Sequence, residues 1–224
     1  VPEGEEGAPS KHHVAIRYGK AVAKLTFSKR QEGTADNTGR DTEYNFEHLP
    51  GSVFETTEGS LTPGKTHFIT DNAFLLHALV PLAVTSPERP SPADRKTIQR
   101  IEKLKNRKVV ESKLLAKTEE AAHIGLFVFE RKEEDMLASL VYVGEDKLIF
   151  RDYPATYDET STWRADGGDE VGQFEVLFLA HVGGKRVLGA TWAGPEGENA
   201  FVYQEKDGTF EETSLQGYRY WSPE

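Results

Sequence analysis

From Lys108 to Trp221 the chain repeats one motif: a strand-length apolar run followed by a turn signal. The runs are 108–117, 123–131, 136–143, 147–153, 173–181, 185–192, 199–205 and 218–221. Gly144-Glu145-Asp146, Gly183-Gly184, Gly194-Pro195-Glu196-Gly197 and Asp207-Gly208 separate several of them. Runs of this length with β-branched and aromatic residues are strands, and links this short join antiparallel neighbours. The N-terminal half carries the same signal more weakly. His13–Phe27 alternates about Gly19-Lys20 as a hairpin or one bent strand, and 51–59 and 65–70 are further strands. Residues 28–45 are polar and predict a loop. The run 72–80 fits either a short helix capped by Asp71 or a buried strand.

One helix signal interrupts this pattern. Ser91 stands at a cap position, Pro92 at the first helical position and Asp94 three residues after the serine. Ile98, Ile101 and Leu104 recur at spacing three as an expected buried face, and the helix is expected to end near Asn106. The predicted fold is therefore α+β and mainly β. It is an antiparallel sheet meander, sandwich- or barrel-like, with one capped helix near 92–106. A faint echo relates the three strands from Leu126 to the three from Leu177, as in a duplicated sheet or a blade-like unit, though any two meanders look alike.

The expected organisation is a leader (1–12), a β-rich unit (13–80), a Pro-rich connection (81–92), and a helix followed by an antiparallel β unit (93–224). Residues 13–224 also fit one domain, because 224 residues supply a core that needs no staples. The leader is acidic and rich in Pro and Gly. It reads as the stub left by a secretion signal or lipid anchor, or as an artificial start. The longest apolar run, Ala73–Val84, is broken by His77 and Pro81 and is too short to span a membrane. Zero cysteines exclude disulfides, zinc-thiolate sites and cysteine nucleophiles.

The charge is uneven. Net charge is −10, yet residues 95–117 hold nine cations against two carboxylates. Arg100, Lys103, Lys105, Arg107 and Lys108 form the centre of this basic segment. It is a candidate contact for a protein or an anionic polymer, or it faces the protein's own acidic half. The acidic bulk disfavours nucleic acid as a partner.

Nucleophile and cofactor motifs are missing. Gly167 and Gly172 have phosphate-loop spacing, but Gln173 and Phe174 follow where Lys and Ser/Thr are required. His67 and Asp71 could approach as a catalytic pair, and His77 lies in an apolar stretch where a core histidine is the commoner role. Two acidic turns offer carboxylates to Ca2+, the only cofactor with candidate ligands: Asp36, Asp41 and Glu43, then Asp166, Asp169 and Glu170. Solvated turns are the commoner explanation of such carboxylates. Trp163 sits in a polar stretch and is the aromatic candidate for a binding contact. The leading expectation is a non-enzymatic binding protein of a bacterial cell envelope, exported or tethered. Its alternatives are a hydrolase with a His/carboxylate site, and an intracellular subunit that docks through the basic segment.

Overall fold

The computed structural model describes residues 12–40, 42–85 and 91–221. The expected leader, apart from the backbone of His12, lies outside them, as do Pro87 and Pro90. Strand accounts for 56% and helix for 11%, so the antiparallel, mainly-β expectation is met.

A small sheet comes first. β1 (His12–Arg17) and β2 (Lys20–Gln31) form a hairpin through Tyr18-Gly19, both with positive φ. That is the turn whose twist matches paired strands. The tip presses on the rest of the protein. Gly19 N–H donates to the Leu177 carbonyl at 2.8 Å, and a Cβ on Gly19 would stand 2.8 Å from Leu82 Cβ. A 3-10 turn (Glu43–His48), β3 (Gly51–Gly59) and β4 (Phe68–Thr70) complete the order β3-β2-β1-β4. β2 extends into the expected loop, and β4 starts three residues late, leaving Lys65–His67 as loop. Asp71 caps α1 (Asn72–His77) by accepting from Phe74 N–H, so the ambiguous run is a helix.

The large sheet follows. Its strands are β5 (Leu79–Val80), β6 (Leu82–Val84), β7 (Val109–Thr118), β8 (His123–Phe129), β9 (Asp135–Val143) and β10 (Leu148–Thr156). β11 (Gln173–Val182), β12 (Lys185–Ala193), β13 (Gly197–Lys206) and β14 (Thr209–Tyr220) complete it. The order is β5-β11-β12-β13-β14-β10-β9-β8-β7-β6. Its two edge strands are consecutive in the chain, with only Pro81 between them. The sheet therefore curls into a nearly closed barrel, and Pro81 sits at the seam, where no ladder hydrogen bond is lost. Two antiparallel meanders, β7–β10 and β11–β14, meet where β10 touches β14 in parallel. A rotation about the barrel axis does not generate that order, so the sequence echo reflects two meanders and not a repeated blade.

The barrel interior is filled. Leu126, Leu140, Ile149, Leu179, Leu188 and Phe210 lie within one cluster there. Its polar atoms pair: the Tyr153 and Tyr203 hydroxyls meet at 2.8 Å. Burial pushes Tyr153 up to about 12 and Tyr203 further upward.

Two covers lie outside the barrel. α2 (Arg95–Lys105) starts at Asp94, whose carboxylate accepts from Lys96 and Thr97 N–H, and stops at left-handed Asn106. The cap is Asp94 and not Ser91; the Ser91 carbonyl accepts from Leu114 N–H instead. Ile98 and Ile101 pack on Phe127, Phe129 and Val141. Leu104 does not join them and is 65% exposed. Each step of three residues rotates about 60° around a helix, and two steps leave the buried face. Lys105, one turn beyond Ile101, packs there with its Nζ over the Phe150 ring at 4.2 Å. The second cover is β1, β4 and α1. Ile16, Phe68 and Phe74 seat on Phe178, for which Gly189 makes room: a Cβ there would lie 2.2 Å from its ring. No helix among the described residues is long and apolar enough to cross a membrane.

Candidate functional site

The second cover does not close completely. At one end a cleft of about 540 Å3 opens between the barrel's outer wall and the β3–β4 loop, within the usual range for small-ligand sites. Strand alternation builds its floor. Phe174, Val176 and Ala190 point into the barrel core, so Gln173, Glu175 and Thr191 point outward. Register then lays two adjacent rows across the wall, one through Glu175 and Thr191 and the next from Gln173 through Ala193 and Glu198 to Arg219. Glu175 lies opposite Thr191, Ala193 opposite Glu198, and Glu198 opposite Arg219. Thr191 and Ala193, small residues of β12 in these two rows, leave the hollow, and Glu175, Glu198 and Arg219 flank it.

Each flanking carboxylate is held by cations. Glu175 pairs with buried Arg17 and, at 3.5 Å, with Lys65, and it accepts from the Tyr18 hydroxyl at 3.1 Å. Glu198, 7% exposed, accepts from the Thr66 hydroxyl at 2.5 Å and from Arg219 at 3.2 Å. Arg219 also donates to the Gly64 carbonyl, tying the loop to the wall. Trp221 closes one side, with its indole N–H on the Pro195 carbonyl.

Arg164 differs from the other cleft cations. It stands on the loop between β10 and β11, which is braced internally. Asp158 caps a turn through Thr160 and Ser161 N–H, and Thr160, Thr162 and Gly168 exchange backbone bonds. The guanidinium lies 5.1 Å from the Trp192 ring centre and donates to Asn199 Oδ1 at 2.6 Å and the Gly197 carbonyl at 3.1 Å. Both acceptors are neutral. Among the described residues it has no ion pair, and burial holds its pKa below the usual arginine value.

Two buried polar atoms on this cleft lack partners: the Thr191 hydroxyl and Arg219 Nε. Thr191 is 1% exposed. A buried polar group left unpaired costs about 1–3 kcal/mol; four others, on Thr118, His123, Arg151 and Arg186, lie away from the cleft.

The structure does not bring the predicted histidine site together. His67 Nδ1 lies 2.9 Å from the Lys65 carbonyl, beside the cleft. Burial first, then Arg17 and Arg219, lower its pKa. Asp71 is committed to capping α1, and His77 is exposed at its end rather than in a core. Of the acidic turns, Asp41 and the Glu43 side chain lie outside the described residues. Asp36 is exposed, with its N–H on the Thr34 hydroxyl. Asp166 has positive φ, Asp169 offers its carbonyl to Trp163, and Glu170 lines the cleft. Among the described residues no three acidic or imidazole groups converge as a metal site. Trp163 is half-buried against the barrel core, where it staples the Arg164 loop.

The basic segment largely serves the fold. Arg107 is buried, donating to the Glu130 carbonyl and to Asp135, and Lys105 pairs with Asp152 at 2.6 Å. Arg100 donates to the Gly144 carbonyl. Lys103 and Lys108 remain exposed.

Sequence reasoning missed Lys65, Arg164, Glu175, Thr191, Glu198 and Arg219. Outward charges on an alternating strand are ordinary surface, so only the register shows that four strands align them. Comparison with protein-family models, curated proteins and solved structures finds no match to this chain.

Proposed function

We propose that this protein is a ligand-binding module whose outer-wall cleft holds a small polar molecule or the end of a polar polymer. The observation that carries this reading is the pair of unpartnered buried atoms, Thr191 Oγ1 and Arg219 Nε, on the wall of one cleft. The ring of Gly64, Gly167, Gly172 and Gly194 supports it, because backbone without side chains lets a ligand come close. Binding fits better than hydrolysis. Glu175 and Glu198 are both ion-paired, and His67 has no carboxylate or serine partner among the described residues.

The test is amide NMR of the full chain against a millimolar panel of sugars, sugar acids, amino acids and nucleotides. Saturable shifts confined to Lys65, Arg164–Glu175, Thr191–Glu198 and Arg219 are expected for at least one class. Shifts that never saturate, or that fall elsewhere, overturn the reading.

A further inference from the structure

The cleft's charges define its ligand more narrowly. Lys65, Arg164 and Arg219 face Glu170, Glu175 and Glu198. Arg219 pairs with Glu198, and Lys65 shares Glu175 with the closer Arg17. Among the described residues Arg164 has no such partner: its two hydrogen bonds reach an amide and a peptide carbonyl. Five N–H donors project from a guanidinium, and two are used. The same wall offers an unpartnered N–H at Arg219 and an unpartnered hydroxyl at Thr191. With Arg17 counted, four cations stand against Glu170, Glu175 and Glu198, so the site keeps one net positive charge beside these spare donors.

We propose that the cleft receives a carboxylate, anchored by Arg164 and oriented by Arg219 Nε–H and the Thr191 hydroxyl. A carboxylate has the charge of one and the planar, two-oxygen shape that a guanidinium grips in parallel. A phosphate monoester carries nearly two charges at neutral pH. Its second charge would lie against Glu170 and Glu198. Of the remaining lining, Gln173, Glu170 and glycine backbone exchange hydrogen bonds, while Ala193, Pro195 and Trp221 offer apolar surface to the carbon skeleton of a ligand. The ligand class is therefore a carboxylate flanked by hydroxyls, such as a uronic acid, free or at the end of an acidic polysaccharide. Arg164 also caps the aromatic stack of Phe174 and Trp192, whose ring centres lie 5.3 Å apart. That structural duty needs a flat cation over a ring. It does not need an anion in the cleft.

The inference rests on the cleft being the ligand site, and the experiment separates the two. Glucuronate, glucose and inorganic phosphate are titrated into the full chain while the Arg Nε–H signals of Arg164 and Arg219 are followed. Glucuronate alone is expected to shift both saturably. Equal shifts with glucose, or stronger ones with phosphate, overturn the carboxylate and leave the cleft standing. No saturable shift with any of the three, nor with the wider panel, overturns both. Arg164→Gln should weaken glucuronate binding at least tenfold, and Arg164→Lys should recover only part of it. Thr191→Val, which leaves Arg164 in place, serves where Arg164→Gln fails to fold; unchanged glucuronate affinity in Thr191→Val overturns the oriented geometry.

Discussion

The two covers on the barrel close it to different degrees. Under α2, the seam is apolar and most of its polar side chains are paired, although His123 Nε2 nearby is buried without a partner. The Thr97 hydroxyl donates to Asp94 at 2.7 Å, Arg107 meets Asp135, and Lys105 meets Asp152. Under β1, β4 and α1, an equally apolar seam runs through Ile16 and Phe178 and then stops. Beyond it the wall turns polar, and two buried atoms remain unpartnered. Both faces are half-covered β-sheet. The difference is one of completion: on one side side chains fill the gap, and on the other they surround a space. Of the six buried side-chain atoms without partners among the described residues, the two on the incomplete cover are the ones that border the cleft, and that coincidence is why we place the proposed ligand site there.

Removing a cation from each side gives the largest contrast. Arg17 and Glu175 are 5% and 14% exposed, so Arg17→Ala leaves a largely buried carboxylate with only Lys65 and the Tyr18 hydroxyl and should cost about 3 kcal/mol by denaturant melts. Lys105→Ala breaks a pair in which Asp152 is 42% exposed and should cost no more than about 1 kcal/mol. Equal losses would mean that the two covers are electrostatically alike.

Thr→Val at matched positions gives opposite signs. Thr97→Val removes a satisfied hydroxyl and should destabilise by about 1 kcal/mol. Thr191→Val removes an unsatisfied one and should stabilise the unliganded protein by about 1 kcal/mol. A loss at Thr191 in unliganded protein would show that its hydroxyl already has a partner.

The mildest perturbation is pH. His67 on the cleft side and His123 on the barrel strand near α2 both have pKa values below the ordinary one, in each case chiefly from burial. Folded protein resists the proton that an unfolded histidine takes up near about pH 6.5. Stability should be complete above that pH, fall as pH drops below it, and level off once the folded pKa is passed. The carboxylates of Asp94 and Asp158, held low mainly by hydrogen bonds from Thr97 and Thr160, add their own loss only below about pH 4. His67→Gln and His123→Gln should each flatten the slope between pH 5 and 7, as read by thermal melts. A ligand carboxylate should reduce the His67 share alone, because it offsets the positive charge of Arg219. An unchanged slope in both variants would sink the assignment.

Much of the architecture was legible because it is local. Alternation marked β8 to β13 within a few residues, since burial on one face of a strand repeats every second position. β14 was mostly missed. Residues 209–217 are polar on both sides, and only Phe210 reaches the core. Strand pairing with β13 holds this segment, which periodicity cannot register. Leu104 misled for a related reason, because spacing three drifts off a helix face.

The candidate site was legible only in fragments: Gly167, Glu170, Gly172 and Gln173 stand out in the sequence for other chemistry, and nothing there joins them to Lys65, Arg164 or Arg219. Sequence alone determined strand-forming segments, the helix, the turns and the uneven charge, all set by contacts between near neighbours. Tertiary structure decided that the sheet closes at Pro81 and that Arg17 meets Glu175, 158 positions away. It also decided that Thr191, Glu198 and Arg219 share one wall. Those pairings depend on register across a curled sheet, and register is fixed by packing over the whole barrel rather than by any one segment.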